Sequence, residues 1–249
     1  MLEKLIVSGC SFTEGIPTEG RIAWPNYVAE SLNLPLYNYA VNGAGNGYIS
    51  RSVIHGVETA LKSSNPQELL VGVMWSSIHR LENYHSDTDR FKSRFTFRFI
   101  DNDEGCWVSL RPWEEDNYTI SYIKNYYDPV GSCIYALEHI VRTQWYLKSV
   151  NVKYFMSIFN EAGLPEESMM KHPNVKHLYD MIDWSNFLPV KTCWDWCLNS
   201  GFACLPEHLR NHSNLEVRYR ATHPSREQFK GFAEQIVLPH INAKFNISV

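Results

Sequence analysis

Apolar residues along this chain fall into short unbroken runs rather than alternating stripes. Leu2–Ser8, Leu36–Ala40, Leu69–Trp75 and Val152–Phe159 are rich in β-branched and aromatic residues, and stretches with helical spacing separate them. The spacing predicts helices over Ala23–Leu32, Tyr48–Lys62, Pro129–Val150 and Pro224–Lys244, with Pro224 in the first turn of the last one and Ser225 beside it. Strands that do not alternate are buried on both faces. The β-α-β-α order therefore predicts an α/β fold with a mainly parallel sheet between two helical layers, binding its ligands at the carboxyl ends of the strands.

One region breaks the rhythm. Phe91–Ile100 alternates, meets Asp101-Asn102-Asp103-Glu104-Gly105, and continues into Cys106–Leu110, which reads as a β-hairpin. The acidic turn is not an EF-hand loop, because Gly105 falls one place too early and no Glu stands at the twelfth position. With the aromatic stretch to Tyr127, the hairpin forms an insertion at about 79–128, expected to wall the cleft over the sheet's carboxyl edge. No Pro/Gly/Ser linker divides the chain, so 1–249 is read as a single domain.

Composition narrows the function classes. Lys plus Arg number 23 against 27 Asp plus Glu, a net charge of −4, so the electropositive footprint of a nucleic-acid binder is missing. Six Cys in 249 residues are far too few for a disulfide-stapled scaffold. The opening Met1-Leu2-Glu3-Lys4-Leu5-Ile6-Val7 runs straight into a Gly-Cys-Ser turn, the pattern of a first core strand rather than a signal peptide. No apolar run approaches the roughly 18 residues that span a bilayer. A soluble, cytoplasmic protein without membrane partners is expected.

Four blocks carry candidate chemistry. Ser8-Gly9-Cys10-Ser11-Phe12-Thr13 follows the first strand, where an open α/β sheet presents a nucleophile; the alternative is a Ser/Thr turn that satisfies backbone groups. The nucleophile elbow G-x-S-x-G is not met, since Thr13 replaces its second Gly. Asn42-Gly43-Ala44-Gly45-Asn46-Gly47 follows the second strand. Its backbone N–H groups suit a phosphate, an oxyanion hole or a structural turn, while Tyr48 breaks the dinucleotide pattern G-x-G-x-x-G. Ser76 and Ser77 end the third strand, followed by His79 and Arg80. Finally, Thr222-His223-Pro224-Ser225 projects a His from a loop, because Pro224 holds the preceding residue extended. A Ser and a distant His supply a nucleophile and its base.

Together these blocks resemble the SGNH/GDSL hydrolase family over most of the chain. Gly9-Cys10-Ser11-Phe12-Thr13 is similar to the family's G-D-S-x-T block, Gly43 falls at its oxyanion glycine, Ser76 where its Asn is expected, and His223-Pro224-Ser225 looks like its terminal D-x-x-H-P block. The resemblance implies a flavodoxin-like three-layer α/β/α fold and hydrolysis of an O-acyl ester, extending to acetylated glycans, without metal or organic cofactor. It assigns Ser11 as nucleophile, His223 as base, and Ser11, Gly43 and Ser76 as oxyanion donors. The Gly-Cys-Ser-Phe-Thr and Trp-Ser-Ser variants look most like divergent members encoded by bacteriophages and marine bacteria, which adds virion association to the possible locations. The sequence departs from the family in three places: Cys10 replaces an Asp, Ser76 replaces the Asn, and Arg220 and Ala221 stand where the acid before the His is expected. Loss of that acid costs about ten-thousand-fold in serine hydrolases. Glu216, Asp195, Asp183 or a backbone carbonyl are the available substitutes. The alternatives are a non-catalytic binding or structural member of the same fold, such as a virion component, and a phosphate or nucleotide binder using Gly43–Gly47.

A separate cluster, Cys193-x3-Cys197, Cys204 and His208-x3-His212, contains soft ligands, but Trp194, Trp196, Phe202 and Leu205 surround it and buried thiols are the expected reading over zinc. The aromatic residues of Trp107–Tyr127 offer stacking surfaces for sugars.

Overall fold

The computed structural model describes residues 2–15, 20–86, 96–97, 105–202, 208–209, 212–214, 217–218 and 221–247. Strands β1 (Lys4–Ser8), β2 (Leu36–Asn38), β3 (Leu69–Trp75) and a fourth, Lys153–Ile158, form one parallel sheet in which β1 and β3 lie at the centre. The strand Lys153–Ile158 pairs outside β3, so the sheet runs β2-β1-β3 and then this strand, the order of flavodoxin-like sheets. Register runs from Leu5↔Leu36 and Leu5↔Leu70 to Trp75↔Ile158. Beyond the fourth strand, Phe187 adds only a single parallel bridge to Met156.

The runs are unbroken because both faces are covered. Ile6 joins Val71, Val73 and Met156 beneath helices α3 (Asn46–Leu61) and α5 (Pro129–Ser149). Leu5 and Val7 point the other way, joining Leu70, Met74 and Phe155 beneath α2 (Trp24–Leu32) and the closing helix. These are the three layers expected from the sequence. The edge strand β2 is the exception: Tyr37 and Asn38 are exposed, so this run is not buried on both faces.

The closing helix begins at Arg226, with Ser225 as its N-cap accepting from the Gln228 N–H at 3.3 Å, so Pro224 stands before the cap and not in the first turn. It passes through a π-helical stretch, Ala233–Val237, before Leu238–Phe245. Pro239 follows that stretch and has no N–H to continue the α-helical ladder, which accounts for the widened turn.

The insertion contains a strand that the sequence pattern hid. Leu81–His85 (β4) pairs antiparallel with Cys106–Leu110 (β6), and Thr96–Phe97 (β5) pairs with the other edge of β6. Most of the predicted hairpin and its acidic turn lie outside the described residues. Cys106, Val108 and Leu110 form their own small core with Leu81, Tyr118 and Tyr122, the two tyrosines coming from α4 (Asn117–Tyr126). This sheet stands over the carboxyl edge of the parallel one, where the Ser109 hydroxyl donates to the Gly43 carbonyl at 3.1 Å.

Candidate active site

The first helix, α1 (Ser11–Glu14), is a single turn starting three residues after β1, with Cys10 at its N-cap. The turn is tight because Gly9 has no side chain: a Cβ there would lie 2.2 Å from Thr13 Oγ1. Ser11 is the first residue of this helix, and across 212 residues of sequence its Oγ lies 2.8 Å from His223 Nε2. Phe12 packs against the imidazole with ring centroids 5.1 Å apart and is itself held by Phe159, Trp194 and Phe229.

The other imidazole nitrogen meets Thr222. Thr222 Oγ1 lies 3.0 Å from His223 Nδ1 and donates to the Arg218 carbonyl at 3.1 Å. A hydroxyl has one proton; with that proton on Arg218, it accepts from Nδ1–H. In that tautomer the Nε2 lone pair faces Ser11, as a base requires.

Of the sequence-derived substitutes for the acid, Asp195 shares a cleft with Thr222, the neighbour of His223. It lines this cleft, of about 500 Å³, together with Asn160, Glu161, Ala162, Trp194 and Leu198. Its N–H bonds the Thr192 cap of α8 (Cys193–Asn199), numbered after α6 (Glu167–Met170) and α7 (Pro173–Asp180). Asp183 is engaged elsewhere, with Lys148 at 2.6 Å and Ser185 at 2.5 Å. Hydrogen bonds from those two residues lower its pKa to about 2. Glu216 lies outside the described residues.

Gly43 adopts φ +80°, a conformation that favours glycine, after Val41 N–H has bonded the Gly9 carbonyl at 3.2 Å. Among the described residues neither the Ser11 nor the Gly43 N–H has an internal acceptor, so both are available to a ligand. Glu14 ties the two loops together, its carboxylate accepting from the Asn42 N–H at 2.6 Å and pairing with Arg21. Asn38 donates to the Thr13 carbonyl at 3.0 Å.

Ser76 is placed differently from a free donor. It is fully buried, and its hydroxyl accepts from Arg80 Nη1 at 2.6 Å. Its backbone is gripped by buried Asn46, whose Oδ1 accepts from Ser76 N–H at 2.8 Å. Sequence reading missed Asn46, Arg80, Glu14 and Thr222 as parts of this site. All four sit within or beside the blocks it singled out, but Asn46, Arg80 and Glu14 each hold a partner in another block of the chain, whereas the partners of Thr222 are local.

The glycine loop already holds an anion. Buried Glu82 of β4 accepts from the Gly45 N–H at 2.8 Å, at the N-terminus of α3, and pairs with Arg51 at 2.7 Å. A Cβ on Gly47 would lie 2.6 Å from Glu82 Oε2. Burial pushes the Glu82 carboxyl up, against the pull of Arg51 and the Gly45 N–H. The place a phosphate would take at this helix end is filled by the protein's own carboxylate, which removes the physical basis for the nucleotide reading.

Cys193 and Cys197 are fully buried in the same apolar cluster as Cys10. Burial, together with a hydrogen bond to Cys197, pushes the Cys193 thiol up. Cys204 lies outside the described residues, and His212 Nδ1 accepts from the Asn214 N–H at 3.1 Å.

No family model matches the chain, and no curated protein matches it. Among solved structures it is similar to TesA at 10% identity, over 97% of this chain and 99% of that one, with a TM-score of 0.48. It is similar to a member of the lipolytic protein G-D-S-L family from Veillonella parvula at 12% identity, over 98% of both chains, with a TM-score of 0.45. A carbohydrate esterase aligns at 13% identity over 98% of this chain and 70% of that one, with a TM-score of 0.41. What the geometry itself defines is a Ser–His pair on the carboxyl edge of a parallel α/β sheet, beside loops whose Ser11 and Gly43 N–H groups have no acceptor among the described residues.

Proposed function

We propose that this protein is a serine hydrolase acting on O-acyl esters. The observation that carries the reading is the 2.8 Å approach of Ser11 Oγ to His223 Nε2. In this reading Ser11 Oγ attacks the ester carbonyl carbon as His223 Nε2 takes its proton, and the N–H groups of Ser11 and Gly43 receive the developing oxyanion. The tetrahedral intermediate then expels the alcohol, which leaves with the proton from Nε2. Water, deprotonated by the same nitrogen, releases the acid and restores Ser11. Thr222 and the Arg218 carbonyl stabilise the transient imidazolium in the manner of an orienting acid.

The cleft beside Thr222 supports a hydroxyl-rich leaving group, such as the sugar released from an acetylated glycan. Trp194 offers an apolar face, and Asn160, Glu161 and Asp195 offer polar atoms around it.

The test is hydrolysis of p-nitrophenyl acetate together with labelling by a fluorophosphonate probe. Both signals are expected from the wild type, neither from Ser11→Ala, and both at steeply reduced levels from His223→Ala. Turnover that survives Ser11→Ala overturns the assignment. A folded wild-type protein with neither signal is the non-catalytic binding or virion component.

A further inference from the structure

The insertion holds a second cavity, of about 250 Å³, between β4 and the corner where α4 meets α5. It shares no lining residue with the cleft beside Thr222. Tyrosines wall it: Tyr122 and Tyr126 stand one turn apart on α4 with ring centroids 5.7 Å apart, and Tyr135 comes from α5. Tyr122 is anchored in the small core of the insertion, whereas Tyr126 is 76% exposed and presents most of its ring to solvent. Asn83 of β4 and Asp128, the N-cap of α5, add polar side chains. Asp128 spends Oδ1 on the Gly131 N–H at 2.6 Å, and among the described residues neither its Oδ2 nor Asn83 Oδ1 accepts a hydrogen bond.

The charges around the cavity select its ligand. Among the described residues no Lys or Arg lines it, so nothing there holds a phosphate, a sulfate or a carboxylate. Its buried carboxylate, Glu82, is already neutralised by Arg51 at 2.7 Å, and that guanidinium is fixed 3.6 Å over the Trp107 ring. A cationic ligand would therefore find only Asp128, which is exposed and screened by water. What remains is a set of flat aromatic faces edged by hydroxyl, amide and carboxylate oxygens. That is the complement of a pyranose, whose C–H face packs on a ring while its hydroxyls donate to a carboxylate and exchange hydrogen bonds with an amide. The volume falls below the roughly 300–1,000 Å³ of pockets for drug-sized ligands, which limits the occupant to about one ring.

We infer that the cavity walled by Tyr122, Tyr126 and Tyr135, with Asn83 and Asp128 at its edge, binds one pyranose ring of a neutral glycan. The inference goes beyond the hydrolase reading and stands without it, since a sugar occupies this site whether or not Ser11 is a nucleophile.

The experiment is run on Ser11→Ala, so that turnover plays no part, with maltotriose, cellotriose and triacetylchitotriose as probes. Saturation-transfer NMR and calorimetric titration are expected to detect binding of at least one of them. Tyr126→Ala should weaken that binding by about tenfold, whereas Tyr126→Phe, which keeps the ring, should retain most of it. Asp128→Ser removes the carboxylate and keeps an N-cap for α5, so a comparable loss is expected there in a folded protein. Failure of all these sugars to bind overturns the inference. Binding that neither Tyr126→Ala nor Asp128→Ser weakens places the sugar elsewhere and overturns it too. Tetramethylammonium is the counter-probe: if it binds in place of the sugars and is lost in Tyr126→Ala, the site is a cation cage and the sugar assignment falls. Ester hydrolysis by the wild type is read separately, so failure of the Ser11 assignment and failure of this one are distinguishable.

Discussion

Asn46 clasps Ser76 from both sides of its peptide: Oδ1 accepts the Ser76 N–H at 2.8 Å and Nδ2 donates to the Ser76 carbonyl at 3.4 Å. The amide reproduces the pairing that a neighbouring strand would have given, just where β3 runs out of partners. Both residues are fully buried, so Asn46→Ala leaves backbone groups unsatisfied and should cost about 1–3 kcal/mol of stability. Calorimetric unfolding measures this directly. An unchanged Tm would mean that water or another side chain replaces the clasp.

Thr222 should influence rate more than stability. Thr222→Val keeps the shape and removes the acceptor for Nδ1–H. A hydrogen bond to a charged group contributes about 1.5–3 kcal/mol, so kcat should fall about ten- to a hundredfold. The acidic limb of the pH–rate profile should also move to lower pH, because the imidazolium loses more than the neutral ring. A profile that stays in place would show that another group orients His223.

Gly9 and Thr13 should be energetically coupled. Gly9→Ala places a methyl group on Thr13 Oγ1, an overpacking expected to cost about 1–3 kcal/mol and to displace Ser11. In Gly9→Ala/Thr13→Gly both obstructing atoms, the Thr13 Oγ1 at 2.2 Å and its Cβ at 2.7 Å, are gone, so the double variant should be less destabilised than the sum of the two single changes. Additive melting shifts would refute the steric account.

His139 should contribute to acid sensitivity. It packs edge-on against Tyr135 with ring centroids 4.5 Å apart, and burial, reinforced by Arg51 and Arg142, lowers its pKa to about 4. Below its ordinary pKa of 6.5 the unfolded chain takes up a proton that the folded protein refuses until about pH 4, so stability falls as pH drops across that interval. His139→Phe removes the titration. The difference in Tm between pH 7 and pH 4.5 should be smaller in that variant than in the wild type.

The central strands were legible because β1 and β3 are covered on both faces and show it as unbroken apolar runs. Helices α3 and α5 announced themselves by periodicity over four turns or more. One strand was misjudged in its burial and another escaped, for opposite reasons. The run at Leu36 reads as buried although Tyr37 lies on a sheet edge, and Leu81–His85 reads as polar because Glu82 is buried only by virtue of Arg51, thirty-one residues earlier. The same non-locality governs the site. Ser11 and His223 stood out through their local settings, after a strand and before a proline. The attachment of Arg80 to Ala44 and of Glu14 to Asn42 depends on loops that only the folded chain brings together.

Helix α1 is four residues long, too short to persist in isolation. Its moorings are Asn38 on the Thr13 carbonyl and Glu14 on the Asn42 N–H, the first reaching the end of β2 and the second the loop that follows it. Ser11 is therefore not a portable motif. Grafting residues 8–14 onto another parallel sheet would carry over the serine and leave behind what aims it. A working transplant has to include residues 38–43 as well, so that the reactive hydroxyl and the Gly43 donor arrive as one preassembled unit.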